Sequence, residues 1–127
     1  MSRKNFDLTE AEWHLLECLW EKSPRTGREA ILWLKEHVGW TRSTVLTLLR
    51  RMTDKGLIAC IEQDGINAYS PLVEREDAVR KETNDFLNRV YKGSISMMLS
   101  AMTQKQELSK EEIGELYEIL RQAEKEE

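Results

Sequence analysis

The chain has 127 residues, of which 40% are hydrophobic and 33% charged, and its formal net charge is −4. That length supports one modest core plus an appendage, and an acidic balance argues against binding polyanions through the whole surface. No run approaches the roughly 18 to 20 apolar residues that span a bilayer, and the start Met1-Ser2-Arg3-Lys4-Asn5-Phe6-Asp7 has no apolar leader segment, so a cytoplasmic protein without membrane insertion is expected.

From Leu8 to Lys22, Leu8, Ala11, Leu15, Leu16, Leu19 and Trp20 recur at helical spacing, and Thr9 with Glu12 forms a capping-box pattern. Ser23-Pro24 ends this first helix. A second begins at Thr26 with Glu29 three residues on, carries Ala30, Ile31, Trp33, Leu34 and Val38, and stops at Gly39. A third runs from Thr41 or Arg42 to Lys55, with Val45, Leu48, Leu49 and Met52 on one stripe and Gly56 at its end. The pattern then turns extended. Leu57 to Ile61 is short, apolar and partly β-branched, Asp64-Gly65 is a tight-turn pair, and Ile66 to Ser70 alternates before Pro71. From Glu74 onward the spacing is helical again. Ala78, Phe86, Val90 and Tyr91 mark a long helix, Gly93 interrupts it, Ile95 to Met102 is a short apolar segment, and Ser109 with Glu112 opens a last helix bearing Ile113, Leu116, Tyr117 and Leu120.

Three helices followed by a hairpin is the order of a winged helix-turn-helix, in which the third helix enters the major groove and the hairpin is the wing. The expected fold is therefore mainly α, with a winged-helix domain at 1–73 and a helical dimerisation segment at 74–127. Such a tail is too small to hold a core alone. It must pair with a second copy or pack back on the N-terminal domain, and two-fold pairing is the commoner solution. Phe86, Val90, Tyr91, Ile95, Met98, Leu99, Ile113, Leu116 and Leu120 are the candidate dimerisation residues. Met97 and Met102 suit the same use, because unbranched thioether side chains fill irregular gaps.

The chemistry concentrates on the third helix. Between Arg42 and Gly56, four cations (Arg42, Arg50, Arg51, Lys55) face Asp54 alone, a local net of +3 in an acidic protein. Ser43, Thr44 and Thr47 add hydroxyls, which donate or accept at base edges, while guanidinium groups neutralise phosphates. Ser43, Thr44 and Thr47 are thus candidate base-reading residues, and Arg42, Arg50 and Arg51 candidate backbone contacts on double-stranded DNA.

Other residues have plainer readings. Trp20 and Trp33 read as core, Trp40 as a turn clamp or a backbone contact through its indole, and Tyr69 as packing or a wing contact. His14 and His37 are not spaced as metal ligands, and Cys18 and Cys60 stand in no metal or redox motif and lack electropositive neighbours. No phosphate loop, nucleophile elbow or paired-histidine motif suggests catalysis, and no cofactor is expected. A winged helix that binds protein instead of DNA is the rival, favoured by the acidic balance.

Leu8-Thr9-Glu10-Ala11-Glu12-Trp13, Trp40-Thr41-Arg42-Ser43-Thr44-Val45, Lys55-Gly56-Leu57-Ile58, Ala68-Tyr69-Ser70-Pro71-Leu72-Val73 and Tyr91-Lys92-Gly93 together resemble the penicillinase-repressor family, BlaI/MecI/CopY, over nearly the whole chain. The resemblance implies a homodimeric transcriptional repressor on an inverted repeat with TACA and TGTA half-sites, of the antibiotic-resistance regulator type. It also implies a membrane sensor-protease system that triggers scission in the dimerisation domain. The matching stretch has Ala101-Met102 where cleaved members carry Asn-Phe, and the C-terminal CxC motifs of copper-responsive members do not occur.

Overall fold

The computed structural model describes residues 7–104 and 108–126; the polar start at 1–6 lies outside them. The element order is α1 (Glu10–Glu21), β1 (Arg25–Thr26), α2 (Gly27–His37), α3 (Arg42–Lys55), β2 (Ile58–Gln63), β3 (Ile66–Pro71), α4 (Arg75–Tyr91), α5 (Ile95–Thr103) and α6 (Lys110–Lys125). The chain divides into two compact units, at 80/81 within α4. Val73, just before α4, and Ala78, in its first turn, are both buried in the first core.

Local chemistry sets the helix ends. Thr9 and Glu12 close a reciprocal capping box on α1, and Thr26 and Glu29 do the same on α2, each satisfying backbone N–H groups that a helix start leaves without partners. Thr41 caps α3, and Gly56 ends it in the left-handed region at φ 81°, where a Cβ would be strained. The three helices bury one stripe each: Leu15, Leu16 and Leu19 from α1, Ala30 and Leu34 from α2, and Val45, Leu48, Leu49 and Met52 from α3. Leu57 and Ile58 close the cluster from the hairpin side. Truncating one of these leucines to alanine costs about 2 to 5 kcal/mol in a core that cannot collapse around the loss.

β2 and β3 pair antiparallel from Ile58↔Pro71 to Gln63↔Ile66. Asp64 (φ 54°) and Gly65 (φ 80°) make the turn, both in the left-handed region that a two-residue hairpin of matching twist requires. The expected two-stranded hairpin is in fact part of a three-stranded sheet, order β1-β3-β2, with Arg25↔Tyr69 and Thr26↔Ala68 in register. Two polar residues carry no periodic pattern, so β1 forms only because the α1–α2 connection passes along β3.

Trp20 and Trp33 also differ from expectation. Both sit at the rim of the core, half-buried, with each indole N–H satisfied: Trp20 donates to the Val73 carbonyl at 2.8 Å and Trp33 to Glu21 at 3.2 Å. Trp40 and Tyr69 are likewise half-buried against the core. The Arg75 guanidinium lies 5.8 Å from the Trp20 ring centroid and reaches Glu17 at 3.3 Å, which ties the first turn of α4 to α1.

In the second unit, α4 ends at Lys92 and Gly93, both with positive φ, and Ser94 caps α5. Ser109 and Glu112 form the capping box of α6. Neither α5 nor α6 has a buried residue.

Candidate nucleic-acid interface

With Val45, Leu48, Leu49 and Met52 committed to the core, helical geometry leaves Arg42, Ser43, Thr44, Leu46, Thr47, Arg50 and Arg51 on the outside, and all seven are exposed. Ser43 and Thr47 lie near the middle of this face. Thr44 and Arg51 flank it on the α1 side, where Ala11, Ser43, Thr44, Thr47, Leu48 and Arg51 line an open recess of about 290 Å³. Arg42, Leu46 and Arg50, spaced four residues apart, form a row along the other flank.

The hydroxyls differ in what they already do. Thr41 Oγ1 accepts from the Thr44 backbone N–H at 3.3 Å and lies 3.0 Å from Thr44 Oγ1 and 3.4 Å from Ser43 Oγ. These three form a small cluster at the helix start, beside its partial positive charge. Thr47 makes no such bond among the described residues.

The cations differ too. Arg42, Arg50 and Arg51 have no ion-pair partner among the described residues. Lys55 does: its ammonium lies 2.6 Å from Glu12 Oε2. Of the four cations counted on this helix, Lys55 therefore belongs to the fold rather than to the outward face. Sequence spacing alone does not reveal this, because the partners stand 43 residues apart. Burial works to raise the Glu12 carboxyl, but the hydrogen bond and charge of Lys55 and the bonds to Thr9 outweigh it and hold the group below its ordinary value.

The hairpin contributes no cations. From Ile58 to Pro71 it carries Glu62 and Asp64 and neither lysine nor arginine.

Among the described residues no cluster of His, Cys, Asp and Glu is arranged to hold a metal, and no helix is long and apolar enough to cross a membrane. His14 packs edge-on against Trp40, with centroids 5.7 Å apart, and His37 stacks on Trp33 at 3.8 Å. Cys18 has an electropositive neighbour after all, since Arg25 Nε donates to its carbonyl at 2.9 Å. Burial nevertheless dominates over Arg25 and pushes the thiol up to about 11.

The candidate dimerisation residues lie on α4, α5 and α6, none of them buried. Phe86 meets Tyr91 edge-on at 5.9 Å, and Ile95 is exposed. Leu99, Ile113, Leu116, Tyr117 and Leu120 line an apolar groove of about 260 Å³ between α5 and α6, with Ser100 and Thr103 at its edge. Ala101 and Met102 are exposed near the end of α5.

Three core helices, a capped third helix with an exposed polar face, and a hairpin that returns beside it define a winged helix-turn-helix protein. The penicillinase repressor family model matches residues 8–122, and the chain belongs to that family of transcriptional repressors. It is 32% identical over 120 residues to the methicillin resistance regulatory protein MecI of Staphylococcus aureus strain N315, covering 94% of this chain and 98% of that protein. It is 30% identical over 113 residues to the penicillinase repressor of Bacillus licheniformis, covering 89% of this chain and 88% of that one. Among solved structures, the monomeric form of B. licheniformis BlaI in complex with the blaP half-operator has a similar fold, with a TM-score of 0.51 and 24% identity over 57% of this chain and 88% of that chain.

Proposed function

We propose that the chain represses transcription as a homodimer, with α3 of each copy in the major groove at one half of an inverted-repeat operator. The observation that carries this reading is the outward face of α3: three arginines without ion-pair partners alongside Ser43, Thr44 and Thr47. Guanidinium groups suit phosphates, and small hydroxyls suit base edges. Arg42, Arg50 and Arg51 hold the backbone in this reading, and Ser43, Thr44 and Thr47 read sequence. The relatives named above, a penicillinase repressor and a methicillin resistance regulator, support targets in antibiotic-resistance control.

The helical segment from 74 onward supplies the pairing. α5 and α6 bury no residue within one copy, and a second copy covers their apolar faces most economically. Ala101 and Met102 are exposed near the end of α5, and scission there by a sensor-triggered protease would separate two DNA-binding arms that each bind weakly alone.

A gel-shift titration with an inverted TACA/TGTA repeat against a scrambled duplex tests the reading. Tighter binding to the repeat, falling steeply with salt, is expected. Equal binding to both, or none, would transfer the surface to the protein-interaction reading that the acidic hairpin favours.

A further inference from the structure

Leu46 is the one large apolar side chain on the outward face of α3. It is 41% exposed and takes no part in the core or in the half-buried shell around it. Single exposed leucines are ordinary on protein surfaces, so exposure alone means little. Position sets this one apart. Arg42 and Arg50 stand one turn to either side in the same row, with side-chain origins about 6 Å away, and neither has an ion-pair partner among the described residues. Ser43 and Thr47 adjoin it across the face.

The major groove offers hydrogen-bond donors and acceptors at every base edge but only one apolar feature, the C5 methyl of thymine. A leucine held between two guanidinium groups finds a favourable partner there and nowhere else in the groove. Against an exocyclic amine or a carbonyl oxygen it would strip water from a polar group and give no bond in return. We infer that Leu46 is a specificity residue that packs on a thymine methyl in each half-site, while Arg42 and Arg50 fix the register of the helix. The inference rests on the placement of α3 in the groove proposed above.

Binding sites are selected from a random duplex pool with the full chain, and each thymine of the selected sequence is then replaced singly by deoxyuridine. That change removes the methyl and leaves the hydrogen-bonding edge intact. One thymine per half-site should lose about three- to five-fold in affinity, the factor for one buried methyl. Leu46→Ala, outside the core, should bind thymine and deoxyuridine equally at that position while keeping the other preferences. If every deoxyuridine is silent, or if Leu46→Ala stays as sensitive as the unaltered protein, Leu46 does not read the methyl, although α3 still reads DNA. If the pool yields no preferred sequence, the groove placement itself fails and the assignment falls with it.

Discussion

The Lys55 ammonium at the end of α3 lies 2.6 Å from Glu12 Oε2 in the first turn of α1, and the two ends of the pair are unequally placed: the Glu12 side chain is 2% exposed, that of Lys55 45%. A buried charge that loses its partner cannot recover water, whereas a half-exposed one can. Lys55→Met should therefore destabilise the protein by about 3 kcal/mol. Glu12→Gln, which keeps an acceptor for the Thr9 cap, should cost only about 1 kcal/mol. Urea unfolding of both variants checks the order; equal losses would mean that the pair is solvated.

The same carboxyl makes stability depend on pH. Its folded value lies below the ordinary one, so the folded state holds the ionised form more strongly than the unfolded chain does. The contribution is complete above the ordinary carboxylate range, about pH 4 to 5, and is lost as pH falls through the folded value. Glu12→Gln should flatten the acid limb of a stability-versus-pH curve and leave the neutral region parallel to that of the unaltered protein.

On α3, hydroxyls and guanidinium groups should separate by the kind of loss they produce. Thr47→Ala should cost roughly 1 to 3 kcal/mol on the preferred operator and little on scrambled DNA. Arg50→Ala or Arg51→Ala should weaken all duplexes alike and reduce the slope of log affinity against log salt by about one. Fluorescence anisotropy at several salt concentrations distinguishes the two. A Thr47 variant with unchanged sequence preference would remove that residue from the reading set.

Local signals account for what could be read in advance. Thr9 with Glu12, Thr26 with Glu29 and Ser109 with Glu112 each act within one turn of chain, and all three boxes form. The Asp64-Gly65 turn is equally local. Features made by distant pairing were not legible. β1 exists through Tyr69 and Ala68 of β3, and Lys55 leaves the outward face because of Glu12. Leu46 falls on the outward face of α3 in a helical projection, but an apolar side chain carries no local sign of a nucleic-acid contact.

The two cysteines should react at very different rates. Cys60 is exposed on β2, whereas Cys18 is buried with its thiol pushed up to about 11, so little thiolate forms at neutral pH and little reagent reaches it. A disulfide-exchange reagent should titrate one thiol quickly and the second only on unfolding. Cys60→Ser should abolish the fast phase, and a fast phase that survived it would show that the α1 core opens readily.

Pairing can be tested on the apolar face of α6. Leu120, 55% exposed, lines the groove between α5 and α6 together with Ile113 and Leu116. The N-terminal core is a separate compact unit and does not use this residue. Leu120→Glu would place a carboxylate in an apolar contact with no partner, a cost of several kcal/mol per dimer because the change occurs twice. Sedimentation equilibrium should then give a monomer at concentrations where the unaltered chain is dimeric. Affinity for a single half-site should be unchanged, and affinity for the full inverted repeat should fall toward the half-site value. A dimer that persisted with Leu120→Glu would move the interface to another face of the helical segment, and Phe86 and Val90 on α4 are the next apolar side chains to substitute there.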